Sequence, residues 1–109
     1  MTDRELLEDA AKAAGWSYWD DLAGNGYLNV YDKTGRHDVF NPLDDDGDAF
    51  RLAVKLAIDF KVRNGATWWD RQESEGVVYW SHEPHNGDPY AATRRAIVRA
   101  AAEIGRSMK

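Results

Sequence analysis

The sequence predicts an α/β chain of the α+β type, folded as an α/β/α sandwich in the order α-ββ-α-ββ-α. Three observations carry that reading: helical periodicity in three stretches, two β-rich runs closed by turn residues, and apolar side chains on both faces of the strands. The chain has 109 residues, near the commonest size of one domain, so residues 1–109 are read as a single domain with one core. Hydrophobic residues make up 43% of it, which argues against disorder, and five Trp, five Tyr and three Phe supply large packing units.

The first helix opens on Thr2-Asp3-Arg4-Glu5, the spacing of a capping box. Leu6, Leu7, Ala10, Ala11, Ala13 and Ala14 fall on one side, Arg4, Glu5, Glu8, Asp9 and Lys12 on the other, and Gly15 stands at the expected left-handed stop. A short strand around Ser17 to Trp19 precedes Gly24-Asn25-Gly26, a turn signal. Gly26 to Tyr31 and Arg36 to Phe40 then form a hairpin around Asp32-Lys33-Thr34-Gly35, ended by Asn41-Pro42.

The second helix is expected from Asp45 or Asp46 to Asn64-Gly65. Phe50, Ala53, Val54, Leu56, Ala57, Ile58 and Phe60 cover more than half its circumference, and Asp48, Arg51, Lys55, Asp59 and Arg63 form a narrow polar stripe. A helix so apolar is expected to be surrounded, the centre of the domain. A second hairpin pairs Ala66 to Gln72 with Val77 to His82 across Glu73-Ser74-Glu75-Gly76. The third helix opens at Asp88-Pro89 and runs to about Gly105. Tyr90, Thr93, Ile97, Ala100, Ala101 and Ile104 line its expected core face, opposite Arg95, Arg99, Glu103 and Arg106. Hairpins make the sheet antiparallel, and strands apolar on both faces call for helices on both.

There is no cysteine, which excludes disulfides and cysteine-based metal sites and favours a reducing compartment. The first residues carry acids where a signal peptide would be basic and then apolar, and no apolar run approaches the roughly 20 residues that span a bilayer. A cytoplasmic protein without membrane contact is therefore expected. The net charge of −5 argues against broad nucleic-acid affinity, but charge is uneven: Asp88 to Lys109 carries five bases against two acids.

Three stretches resemble a known family: 1–15 (MTDRELLEDAAKAAG), 40–58 (FNPLDDDGDAFRLAVKLAI) and 91–108 (AATRRAIVRAAAEIGRSM). Together they are similar to the phage ABA sandwich domain, a family of small phage and prophage proteins. The resemblance covers all three helices and leaves 66–87 unmatched. It implies a helix–sheet–helix sandwich in the cytoplasm of a bacterial host, and it brings no functional residue with it.

Each chemical motif has a plain structural reading beside it. Asp44-Asp45-Asp46-Gly47-Asp48 suggests a calcium loop, but with Gly47 sixth the first and last ligands fall on Pro42 and Ala53, which offer no side-chain oxygen. A helix start accounts for these acids, each stabilising by about 0.3–1 kcal/mol against the dipole. His82 and His85, with His37, could hold zinc, yet a Pro-Asn-Gly loop around the second histidine orients nothing. They are also the plausible general bases, with Asp20-Asp21, Asp38 or Asp70 as partners. No phosphate loop or nucleophile elbow occurs, so no metal or cofactor is expected and a hydrolase-like enzyme is the third reading.

Trp68, Trp69, Tyr79 and Trp80 could stack bases, but adjacent strand residues point to opposite faces, and two sandwich cores are the preferred reading. The lead for function is the third helix. Arg95, Arg99 and Arg106 form a stripe, with an Arg99–Glu103 pair expected at i,i+4. Beside it Ala91, Val98, Ala102 and Gly105 form a small-residue strip on which the first helix or another subunit could dock. Arg95, Arg99, Arg106 and Val98 are the candidate partner-binding residues. The expected function is a protein-interaction module acting on an unknown protein or on its own copy. The alternative is a nucleic-acid-associated accessory protein using the basic helix.

Overall fold

The computed structural model describes residues 2–19, 27–72 and 78–108. The elements are α1 (Asp3–Ala13), β1 (Ser17–Tyr18), β2 (Leu28–Tyr31), β3 (His37–Phe40), α2 (Asp46–Leu56), β4 (Phe60–Arg63), β5 (Ala66–Gln72), β6 (Val78–Pro84) and α3 (Pro89–Ser107). The class is α+β, but the strands form two antiparallel three-stranded sheets, β1-β2-β3 and β4-β5-β6, rather than one. The turn expected at Gly24 to Gly26 and the loop at Glu73 to Gly76 lie outside the described residues, as do Asp20 and Asp21.

Helix α1 has the full capping box: Thr2 Oγ1 accepts from Glu5 N at 3.1 Å while the Glu5 carboxylate reaches back to Thr2. It stops where Gly15 turns left-handed at φ 84°, with Trp16 N donating to Ala11 O at 2.9 Å. Its apolar side, Leu6, Leu7, Ala10, Ala11 and Ala14, is buried.

The second helix corrects the sequence reading. It ends at Leu56, and Ala57 takes the left-handed cap at φ 52°, with Ile58 N on Ala53 O at 3.0 Å. Phe60–Arg63 is strand β4, and Asn64-Gly65 is the turn between β4 and β5, with Gly65 at φ 87°. Phe60-Lys61-Val62-Arg63 alternates with the period of a strand, which overrides the helical match that a longer window gives. Helix α2 is also not central: Phe50 and Val54 are each 64% exposed.

The central element is α3, which packs against α1, α2 and all three strands of the second sheet. Ala92, Ala96, Ile97, Val98, Ala100, Ala101, Ala102 and Gly105 are buried along it. Its axis faces are rotated from the expected ones, because Tyr90 and Ile104 are exposed. Small residues let α1 come close: a Cβ added to Gly105 would lie 1.8 Å from Asp9 O. Leu28, Val30 and Phe40 of the first sheet, and Leu52 and Ala53 of α2, close the main core. Trp69, Ala96 and Ala100 form a smaller one, with Phe60 and Ile58 against it.

The second sheet is covered by α3 on one face. Its register pairs Phe60 with Trp69 and Val62 with Thr67, which sets these four on that inner face. Trp68, paired with Lys61 and His82, and Trp80, paired with Asp70, share the other face. Among the described residues no helix covers that outer face, and Trp80 is 38% exposed. The expectation of two sandwich cores is therefore corrected for the three tryptophans: Trp69 is core, and Trp68 and Trp80 are not, while the Tyr79 side chain lies outside the described residues. No helix among the described residues is long and apolar enough to cross a membrane.

Candidate functional site

The arginine stripe of α3 is engaged within the chain. Arg99 Nη1 donates to Glu83 Oε2 at 2.7 Å, and its guanidinium lies 4.9 Å from the centre of the Trp69 ring. Arg95 pairs Asp3 at 2.9 Å and approaches Glu83 at 3.7 Å, and Arg106 stands 3.9 Å from Asp9. The partner of Arg99 is thus Glu83 on β6, not the expected Glu103. Val98 is wholly buried and so corrects its place among partner-binding residues. Of the two docking options for the small-residue strip, the structure has the first helix there.

The aspartate run begins α2. Asp45 accepts from Asp48 N at 2.8 Å, and Asp48 accepts from Asn41 N at 2.9 Å. Asp48 also pairs Arg51, holding that guanidinium's pKa above its ordinary value. Arg94 bridges from α3 to Asp46 at 2.6 Å and to Leu43 O at 2.9 Å, which ties the start of α2 to the central helix. His82 stacks on Trp68 with ring centres 4.6 Å apart. His85 sits in a small polar network: its Nε2 is 2.9 Å from Thr67 Oγ1, itself 2.7 Å from Thr93 Oγ1. Thr67 is wholly buried, and this network joins β5 to α3. Among the described residues no three His, Asp or Glu side chains converge as a metal site.

What the structure does bring together is apolar. A groove of about 510 Å³ lies between α2, β4 and the start of α3. Ala49, Phe60 and Ile97 line it within, while Phe50, Val62 and Tyr90 stand around its mouth at 64%, 56% and 70% exposure. Its polar members are spent, since Asp46 and Arg94 pair with each other and Thr93 belongs to the Thr67 network. Sequence reading placed Phe50, Phe60 and Tyr90 in the core. The signal that could have moved Phe60 was Asn64-Gly65 after an alternating tetrapeptide, the mark of a hairpin; Phe50 and Tyr90 sit on helices the sequence does predict, and no local signal marks them as exposed. No family model, curated protein or solved structure matches the chain.

Proposed function

We propose that the chain is a non-catalytic protein-interaction module whose contact surface is the groove between α2, β4 and α3. The resemblance of its three helices to the phage sandwich family supports a phage or prophage origin and action in a bacterial host's cytoplasm. One observation carries the reading: Phe50, Val62 and Tyr90, each more than half exposed, surround a single concavity. Scattered apolar residues are ordinary on a protein surface, whereas large ones converging on a concave site mark contacts. With its polar groups already paired, the groove recognises apolar side chains by shape and burial, which suits a protein segment better than a charged metabolite.

A photo-crosslinking amino acid at position 50 tests this inside cells. Discrete protein adducts are expected there and not at position 34, on the β2–β3 turn. They should vanish with Tyr90→Asp, while the melting temperature holds. Adducts indifferent to Tyr90→Asp, or equal at both positions, would contradict the reading.

A further inference from the structure

Strand β4 is an edge. It pairs with β5 on one side, and among the described residues no strand pairs with the other. Asp70 N donates to Asp59 O at 3.1 Å, so alternation turns the backbone groups of 59, 61 and 63 toward β5. The N–H and C=O of Phe60 and Val62 therefore face outward. This open edge runs beside the groove, which Phe60 and Val62 also line.

We propose that this edge pairs with itself: two copies of the chain join β4 to β4 antiparallel across a twofold axis at Lys61. This rests on reading the α2–β4–α3 groove as a contact surface, and it names a second copy as the occupant. The two meanders become one continuous six-stranded sheet, and the Val62 side chain is covered.

The register follows from the residues bonded or paired to β5, which are β4 itself and Asp59 through its bond to Asp70; their midpoint is Lys61. Phe60 then stands opposite Val62 of the other copy, and Val62 opposite Phe60. These are the residues whose backbone groups face outward, so each such pair exchanges two hydrogen bonds. Both side chains lie on the inner face, where Phe50 and Tyr90 border them across the groove. On the outer face Asp59 stands opposite Arg63 of the other copy, twice, by symmetry. Lys61 meets its own mate at the axis, the single like-charge contact, and its ammonium is held 4.8 Å over the Trp80 ring. Moving the axis to Val62 would instead oppose Lys61 with Arg63 twice. Moving it to Phe60 would need Ile58 and Ala57 extended, but Ala57 is a left-handed cap and Ile58 packs against the core. Both the charge order and the length of the strand thus select the axis at Lys61.

The test begins with the mass of the intact chain across a dilution series. A species of twice 12.3 kDa is expected, dissociating on dilution. Val62→Lys should abolish it. Asp59→Arg and Arg63→Asp each put like charges opposite one another, so each should weaken association by about tenfold, and the double swap should restore it. The chain has no cysteine, so Lys61→Cys is an unambiguous probe. Across a non-hydrogen-bonded pair the two thiols are close enough for a disulfide, so mild oxidation should give a covalent dimer, and Thr34→Cys should not. A chain monomeric throughout, or a dimer indifferent to Val62→Lys and to the charge swap, would overturn the proposal. If the chain is monomeric while the probe at position 50 captures a different protein, the pairing falls and the groove reading stands. If that probe captures nothing, both fall.

Discussion

Helices α1 and α2 are built alike and used differently. Each is 11 residues long, opens on a side-chain cap, ends in a left-handed residue and leads into a three-stranded antiparallel meander. Helix α1 is closed against α3 by alanines and Gly105, so tightly that no Cβ fits at Gly105. Helix α2 buries Ala49, Leu52 and Ala53 but leaves Phe50 and Val54 exposed. Local signals specify that a helix forms and where it stops. They do not specify how much of its apolar arc finds a partner within the same chain.

The largest effects should therefore fall on the closed side. Gly105→Leu forces α1 and α3 apart and should cost at least about 3 kcal/mol, the upper range of overpacking, measured by denaturant unfolding. Trp69→Ala should cost about 3–5 kcal/mol, because Trp69 is wholly buried. Trp80→Ala, on the uncovered face of the same sheet, should cost less than about 1 kcal/mol. Equal losses at the two tryptophans would show the outer face to be covered after all.

Two smaller effects sharpen the comparison of the helix ends. Ala57→Gly should stabilise by about 1 kcal/mol, since Ala57 holds a left-handed conformation that an L side chain resists. Gly15→Ala, at the matching place after α1, should cost a similar amount by the same argument. A gain in both, or a loss in both, would mean that packing rather than backbone conformation governs these turns.

The smallest changes concern charge. Arg95→Glu with Arg106→Glu removes partly exposed ion pairs to Asp3 and Asp9 and should cost no more than about 1 kcal/mol per pair. In the β2–β3 turn, Asp32 accepts first from Thr34 Oγ1, then from the backbone N–H groups of Arg36 and Thr34, and its pKa is lowered. A carboxylate with a depressed folded-state pKa stabilises above its unfolded pKa and loses that contribution as pH falls through the folded value. Thr34→Ala should raise the Asp32 value, followed by NMR titration.

Much of the fold was legible because local physics decided it. The capping box at Thr2, the stop at Gly15, the Asp88-Pro89 start and the β2–β3 turn all act within a few residues. The end of α2 was not legible in the same way. Ala57, Ile58 and Phe60 continue the helical arc, which in a long window outweighs the four-residue alternation of Phe60–Arg63 that pairing with β5 makes a strand. The candidate site suffered most, because exposure is decided by distant partners. Arg99 looked solvated until Glu83 and Trp69 came to it through the sheet, while Tyr90 looked buried and lies exposed. Val98 belonged to a small-residue strip that the chain's own first helix fills.

Backbone amide exchange, read residue by residue across a dilution series, compares the closed and open regions in one measurement. Amides of α1 and of α3 near Gly105 should exchange at rates independent of concentration, since that contact lies within one chain. Those of Phe60 and Val62, on the open edge of β4, should slow as concentration rises. Rates at Phe60 and Val62 that stay fast and concentration-independent would contradict the account: the edge beside the groove would then be bare in solution, and α2 would differ from α1 only in what it leaves uncovered.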